Sequence, residues 1–230
     1  MFYYYDPTYI FVIIAVIITM IVQGYMTSTF SKYERVESKS GLTASEACRV
    51  ILDRSNITNV SIGHVSGNLT DHYAPTKKEL NLSDTTYNSR SIAAIGVAAH
   101  EAGHAIQDNT NMILLSIQMR LVPVVNFASR LSIPVIFIGF ILGILDMIQF
   151  GIILFSATLV YQLITLPIEF NASGNAIRTL REYNIMDESE LYAVKKVLTA
   201  AALTYVAAAA STVLQILRFV ILMNGRSRRR

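Results

Sequence analysis

The sequence holds one cysteine, Cys48, and no tryptophan. A single thiol excludes an intramolecular disulfide and leaves no thiolate cluster, so any metal bound by this chain is held by nitrogen and oxygen. Charge is scarce too: 15% of the residues are charged against 53% hydrophobic, and the net charge is +3. With a mean hydropathy of +0.44, the chain is too apolar for an ordinary water-soluble domain. The near-neutral balance gives no reason to expect a nucleic-acid partner. The cluster Arg226, Arg228, Arg229 and Arg230 reads, beside apolar runs, as a topology signal or a contact to anionic lipid head groups.

What is abundant is uncharged sequence. A spanning helix needs about 20 residues that carry no charge into hydrocarbon. Residues 7–31 contain none, and 131–145 and 147–168 are two further uncharged runs separated only by Asp146, which reads as a tight transmembrane hairpin. A fourth run, 197–217, is rich in Ala, Thr and Ser instead of Ile, Leu and Phe. Nothing basic precedes the first run and no small-residue cleavage pattern follows it, so it is expected to be a retained anchor. Lys32, Arg35 and Lys39 follow that run closely while only Asp6 precedes it. The positive-inside rule then places the N-terminus outside a cell membrane and the next segment in the cytoplasm. Three spans would put the arginine tail inside as well, with the Ala-rich helix packed on the catalytic domain or dipping into the interface.

Between the anchor and the hairpin the pattern changes. Ala44, Ala47, Val50 and Ile51 recur at helical spacing, with Thr43 or Ser45 as N-cap. Gly63, Gly67 and Pro75 punctuate short segments at 59–65 and 79–82, which predict a small sheet or hairpin. Ser83, Asp84, Ser89 and Ser91 offer caps before a helix over 92–107. That helix carries His100-Glu101-Ala102-Gly103-His104.

Residues four apart stack on one helical face, so two imidazoles at this spacing can share one metal ion while Glu101 takes a proton from the attacking water. Three fixed residues among five arise by accident in on the order of one chain per hundred. The context strengthens the match: in a helix made of Ala and Ile, a His-Glu-His cluster is costly without a metal or partners. A catalytic zinc takes a third protein ligand and keeps a fourth position open. No histidine follows His104, and the remaining candidates for the third ligand are carboxylates. Glu169, at the end of the 147–168 run, is the foremost candidate, ahead of Asp71 and Glu182. His64 stands alone in its segment and is assigned no role, and Arg120 and Arg130 read as side chains snorkelling to the interface.

The order of these features, HExxH then hairpin then Glu169-Phe170-Asn171-Ala172, resembles the membrane peptidases of the HtpX and Ste24 type. It resembles more closely the bacterial YugP-like neutral zinc metallopeptidases, through Asp71-His72-Tyr73-x-Pro75, the segment 98–107 and Leu166-Pro167-x-Glu169-Phe170-Asn171-Ala172-Ser173. The resemblance covers nearly the whole chain. It implies a zinc-dependent, membrane-bound endopeptidase acting on peptide or protein substrates, with one Zn2+ per chain held by His100, His104 and Glu169, and with Glu101 as catalytic base. His72, Tyr73 and Tyr205 are candidates to steady the oxyanion. In the HtpX pattern an aspartate four residues after the glutamate braces a ligand; this chain has Ser173 there, so Ser173, Asn171 or Asp108 is expected to substitute.

The expected fold is mostly α: transmembrane helices plus a small zincin-like catalytic domain with a short β-sheet or hairpin. The divisions are an anchor at 1–31, a catalytic segment with the HExxH helix at 32–120, the hairpin at 121–168, and a second catalytic segment at 169–230 with the third-ligand helix and the Ala-rich helix. An even number of crossings must separate His104 from Glu169, and the hairpin supplies two. The rival reading is a non-catalytic zinc-binding scaffold or assembly factor, which has no need of Glu101. A metal transporter would spread polar residues through several spans, and the hairpin has few.

Overall fold

A computed structural model describes residues 6–227, with side chains as far as Gly225; the side chains of the arginine tail lie outside the described residues. The chain is mostly helical: α1 (Tyr9–Glu34), α2 (Ala44–Arg54), strands β1 (Ser61–Val65), β2 (His72–Ala74) and β3 (Glu79–Ser83), then α3 (Ile92–Asn109), α4 (Ile113–Leu142), α5 (Leu145–Glu182) and α6 (Glu188–Ser227). Two compact units emerge. One comprises residues 24–116 and 167–203, the other 1–23, 117–166 and 204–230.

In the first unit, α2 starts as its sequence demands. Thr43 is the N-cap, its hydroxyl accepting from the Glu46 N–H while the Glu46 carboxylate accepts from the Thr43 N–H, a capping box. The apolar stripe Ala44, Ala47, Cys48, Ile51 and Leu52 is fully buried and packs on α3, and burial pushes the Cys48 thiol up, away from the thiolate. The sheet has the order β1-β3-β2. β1 pairs with β3 in parallel, Ser61 opposite Glu79, and β2 pairs with β3 antiparallel, His72 opposite Asn81. The sheet is thus a short β2–β3 hairpin with β1 added in parallel along β3. Leu80 and Leu82 of β3 point into a core completed by Ile95, Ala98, Ala99, Leu180 and Val194.

Three helices of this unit end alike. Asn56, Asn111 and Asn184 have φ of 57°, 54° and 54°. The next N–H in each case returns to a carbonyl of the last turn, Ile57 to Leu52 at 2.9 Å, Met112 to Gln107 at 2.9 Å and Ile185 to Leu180 at 3.0 Å. This is the Schellman cap, with Asn taking the left-handed position more often given to Gly.

In the second unit the hairpin turns at Gly143, φ 73°, with Ile144 N–H bonded to the Gly139 carbonyl at 3.0 Å, the same cap with glycine. The turn precedes Asp146, which sits in the first turn of α5, where its charge suits the helix dipole. α4 starts at Ile113, well before the uncharged run at 131, and holds Pro123 and Pro134 in its interior. Its polar Gln118 is satisfied by α5, donating to Thr165 Oγ1 at 2.9 Å. Arg120 and Arg130 lie on α4, both exposed.

Four helices, α1, α4, α5 and α6, are long and apolar enough to cross a membrane. The fourth carries the Ala-rich run: 197–217 is the middle of a 40-residue helix, whose first turns bury Leu191, Ala193, Val194 and Leu198 in the core of the first unit. α1 and α6 run past each other within this unit. Thr19 Oγ1 meets Ser211 Oγ at 3.3 Å, and Arg218 meets Asp6 at 3.2 Å and lies over the Tyr9 ring.

Candidate metal centre

α3 is anchored at Ser91, whose Oγ accepts from the Ala94 N–H at 3.1 Å. Small residues face the core: Ala94, Ala98, Ala99 and Ala102 are fully buried. His100 and His104 share another face, with ring centroids 4.8 Å apart. Between them lies Gly103, where a Cβ would stand 2.5 Å from the Ala172 carbonyl oxygen. Only glycine lets the backbone of α5 come this close, and that approach brings Glu169 to the histidines.

Glu169 is 8% exposed. Its Oε2 lies 3.2 Å from His100 Nε2 and 3.8 Å from His104 Nε2, and one donor atom from each of the three residues falls within 4.8 Å of the others. Two atoms bound to one tetrahedral zinc at about 2.0–2.1 Å stand about 3.3 Å apart, so the spacing suits a single ion. Glu101, 9% exposed, is on the same turn of α3. Without a metal, burial would lower the His104 pKa, but the Glu169 hydrogen bond and the nearby Glu101 and Glu169 charges raise it from 6.5 to about 9. The three side chains thus form a polar, largely buried set that a cation would satisfy.

Both rings turn Nδ1 away from the cluster and toward a partner. His100 Nδ1 meets Ser173 Oγ at 3.2 Å, so Ser173 takes the place the aspartate of the HtpX pattern would fill. His104 Nδ1 donates to Gln107 Oε1 at 2.9 Å. The Gln107 amide nitrogen donates to the Ile168 carbonyl at 2.8 Å and to Asn171 Oδ1 at 2.9 Å. Asn171 therefore acts at one remove. Asp108 braces neither ligand, since it accepts from the Tyr73 hydroxyl at 2.5 Å and from Lys78 at 2.6 Å. Gln107 is the residue that sequence reasoning passed over; the available signal was an amide three residues after a ligand, on the same face of an apolar helix.

The other candidates lie elsewhere. Asp71 accepts from the Ser83 N–H at 2.8 Å and the Ser83 hydroxyl at 2.9 Å, which holds the end of β3, and Glu182 is exposed at the end of α5. His72 is exposed on β2, its Nδ1 2.9 Å from the Thr70 carbonyl. His64 pairs with Asp84 at 2.7 Å. Tyr205 belongs to the other compact unit.

Residues 8–224 match the family model described as "Putative neutral zinc metallopeptidase". The chain is 48% identical over 206 residues to the "Putative membrane protease YugP" of Bacillus subtilis (strain 168), covering 89% of this chain and 91% of that one. No solved structure matches. The chain belongs to this zinc metallopeptidase family.

Proposed function

We propose that this member of the neutral zinc metallopeptidase family is a membrane-bound endopeptidase holding one zinc per chain through His100, His104 and Glu169. The observation that carries the reading is the meeting of Glu169 with both histidines of the HExxH helix, from the far side of the hairpin in sequence, at distances a single ion would span. The donor set fits zinc: two imidazole nitrogens and one carboxylate leave a fourth position open, as catalytic sites do. Zinc held there supplies Lewis acidity toward a water and the scissile carbonyl.

The chain's own residues do the rest. Glu101 sits one residue from a ligand and is not needed to complete the set, so its carboxylate is available to take the attacking water's proton and deliver it to the leaving amine. Low exposure at Glu101 and Glu169 limits competing water and strengthens their fields. The oxyanion donor sought in His72 and Tyr205 is tested by His72→Ala and Tyr205→Phe; loss of about 10²–10³ in turnover would mark one of them.

The four apolar helices suit an enzyme embedded in a bilayer. Lys32, Arg35 and Lys39 at the end of α1 support an N-terminus outside the cell membrane and a catalytic site on its cytoplasmic side. Casein cleavage by the detergent-solubilised chain tests the activity. Wild type should cleave and Glu101→Gln should lose about 10²–10⁴ in rate with zinc retained; zinc-loaded wild type that cleaves neither casein nor a panel of unfolded membrane proteins would favour the scaffold.

A further inference from the structure

Gln107 is 1% exposed, yet each polar atom of its side chain is engaged. Its Nε2 donates to the Ile168 carbonyl at 2.8 Å and to Asn171 Oδ1 at 2.9 Å, and its Oε1 lies 2.9 Å from His104 Nδ1. A backbone carbonyl can only accept, so the amide nitrogen must be the atom that faces Ile168. That leaves the amide oxygen against His104. An amide oxygen also only accepts, so His104 Nδ1 must carry the proton. A neutral imidazole protonated on Nδ1 has its lone pair on Nε2, the atom 3.8 Å from Glu169 Oε2.

We propose that Gln107 is a positioning residue of the metal centre: it holds His104 in the Nδ1–H tautomer with Nε2 free to ligate, and ties that ring to the turn of α5 that presents Glu169. Ile168 immediately precedes Glu169 and Asn171 follows it by two, so one amide spans both sides of the carboxylate ligand. Asn171 is itself steadied, its Oδ1 also accepting from Asn175 Nδ2 at 3.2 Å. Ser173, beside His100, does a looser job. A hydroxyl either donates or accepts, so Ser173 orients the His100 ring without dictating which nitrogen holds the proton. The two ligands are thus supported unequally, and His104 is the one whose tautomer the fold fixes.

The inference rests on the ligand set proposed above, and the test separates the two. Zinc affinity is measured on the detergent-solubilised full chain by competition with a chromogenic chelator, for wild type, His104→Ala, Gln107→Leu and Gln107→Glu. Gln107→Leu should weaken zinc binding about 10–100-fold, the usual cost of losing a partner that orients a ligand. Gln107→Glu keeps an oxygen toward His104 and loses both donations to α5, so it should recover most of that affinity. If it binds zinc as weakly as Gln107→Leu, the amide acts only through its tie to α5, and the tautomer-holding role proposed for it is overturned.

Thermal unfolding of the metal-free variants reports that structural contribution separately. A second readout is the nitrogen spectrum of ¹⁵N-histidine in the zinc-loaded chain, which has only four histidines. His104 should show a protonated Nδ1 in wild type; a protonated Nε2 contradicts the assignment. Wild-type affinity in Gln107→Leu overturns the proposal while leaving the ligands intact. Equal zinc binding by wild type and His104→Ala overturns the ligand set and the proposal together.

Discussion

Gly103 is where a single atom decides whether the site can assemble. A Cβ there would press on the Ala172 carbonyl at 2.5 Å, so Gly103→Ala must move α5 away from α3 and Glu169 with it. The expected result is a stability loss of about 1–3 kcal/mol and weakened zinc binding, read by thermal unfolding and metal titration. His104 sets a pH dependence. In the metal-free chain its pKa is raised from 6.5 to about 9, so this group stabilises the fold fully below 6.5 and the contribution is lost as pH rises through 9. Zinc needs the neutral ring, and its binding therefore follows the opposite course. Apparent zinc affinity should fall about tenfold per unit as pH drops from 8 to 7, by displacement of one proton, and isothermal titration in buffers of different ionisation enthalpy would count it. Much of the candidate cluster was legible: His100 and His104 by spacing, and Glu169 by its place at the end of an uncharged run. Gln107 was not, because a lone amide gives no periodic signal and its role exists only once Ile168 and Asn171 lie beside it.

Among the elements, the caps tie sequence to structure most directly. Asn111 ends α3 at φ 54°, a conformation that costs a β-branched residue about 1–2 kcal/mol and glycine almost nothing. Asn111→Val should destabilise the chain by that amount and Asn111→Gly should not, in a chemical unfolding titration. The Thr43 and Ser91 caps were readable because side-chain type and position coincide. The lengths of α4 and α6 were not. Gln118, Arg120 and Arg130 interrupt the apolar pattern of α4, and only the structure shows that Gln118 finds Thr165 on α5. The sheet order escaped for a related reason: β2 has three residues, too few for alternation to register, and the parallel pairing of β1 with β3 is a long-range choice that no local pattern records.

At the scale of the whole molecule, the address of the C-terminal end distinguishes three spans from four. Position 19 of α1 meets 211 of α6, while 6 meets 218; as one number rises the other falls, so the two helices are antiparallel. If both cross the bilayer, the end of α6 emerges on the side where α1 begins, opposite to the side inferred from three spans and the arginine tail. A cysteine introduced at Gly225, with Cys48 buried and silent, should react with a membrane-impermeant maleimide in intact cells; labelling only after lysis would restore the three-span arrangement. The most direct test of the central claim, a zinc centre built from two histidines and Glu169, is the zinc-edge X-ray absorption spectrum of the purified chain. A site of this kind should show one zinc per chain with nitrogen and oxygen neighbours at about 2.0–2.1 Å, two of them imidazoles, and a changed spectrum in Glu169→Ala. Zinc-free protein, a sulfur shell at about 2.3 Å, or a spectrum indifferent to Glu169 would contradict it.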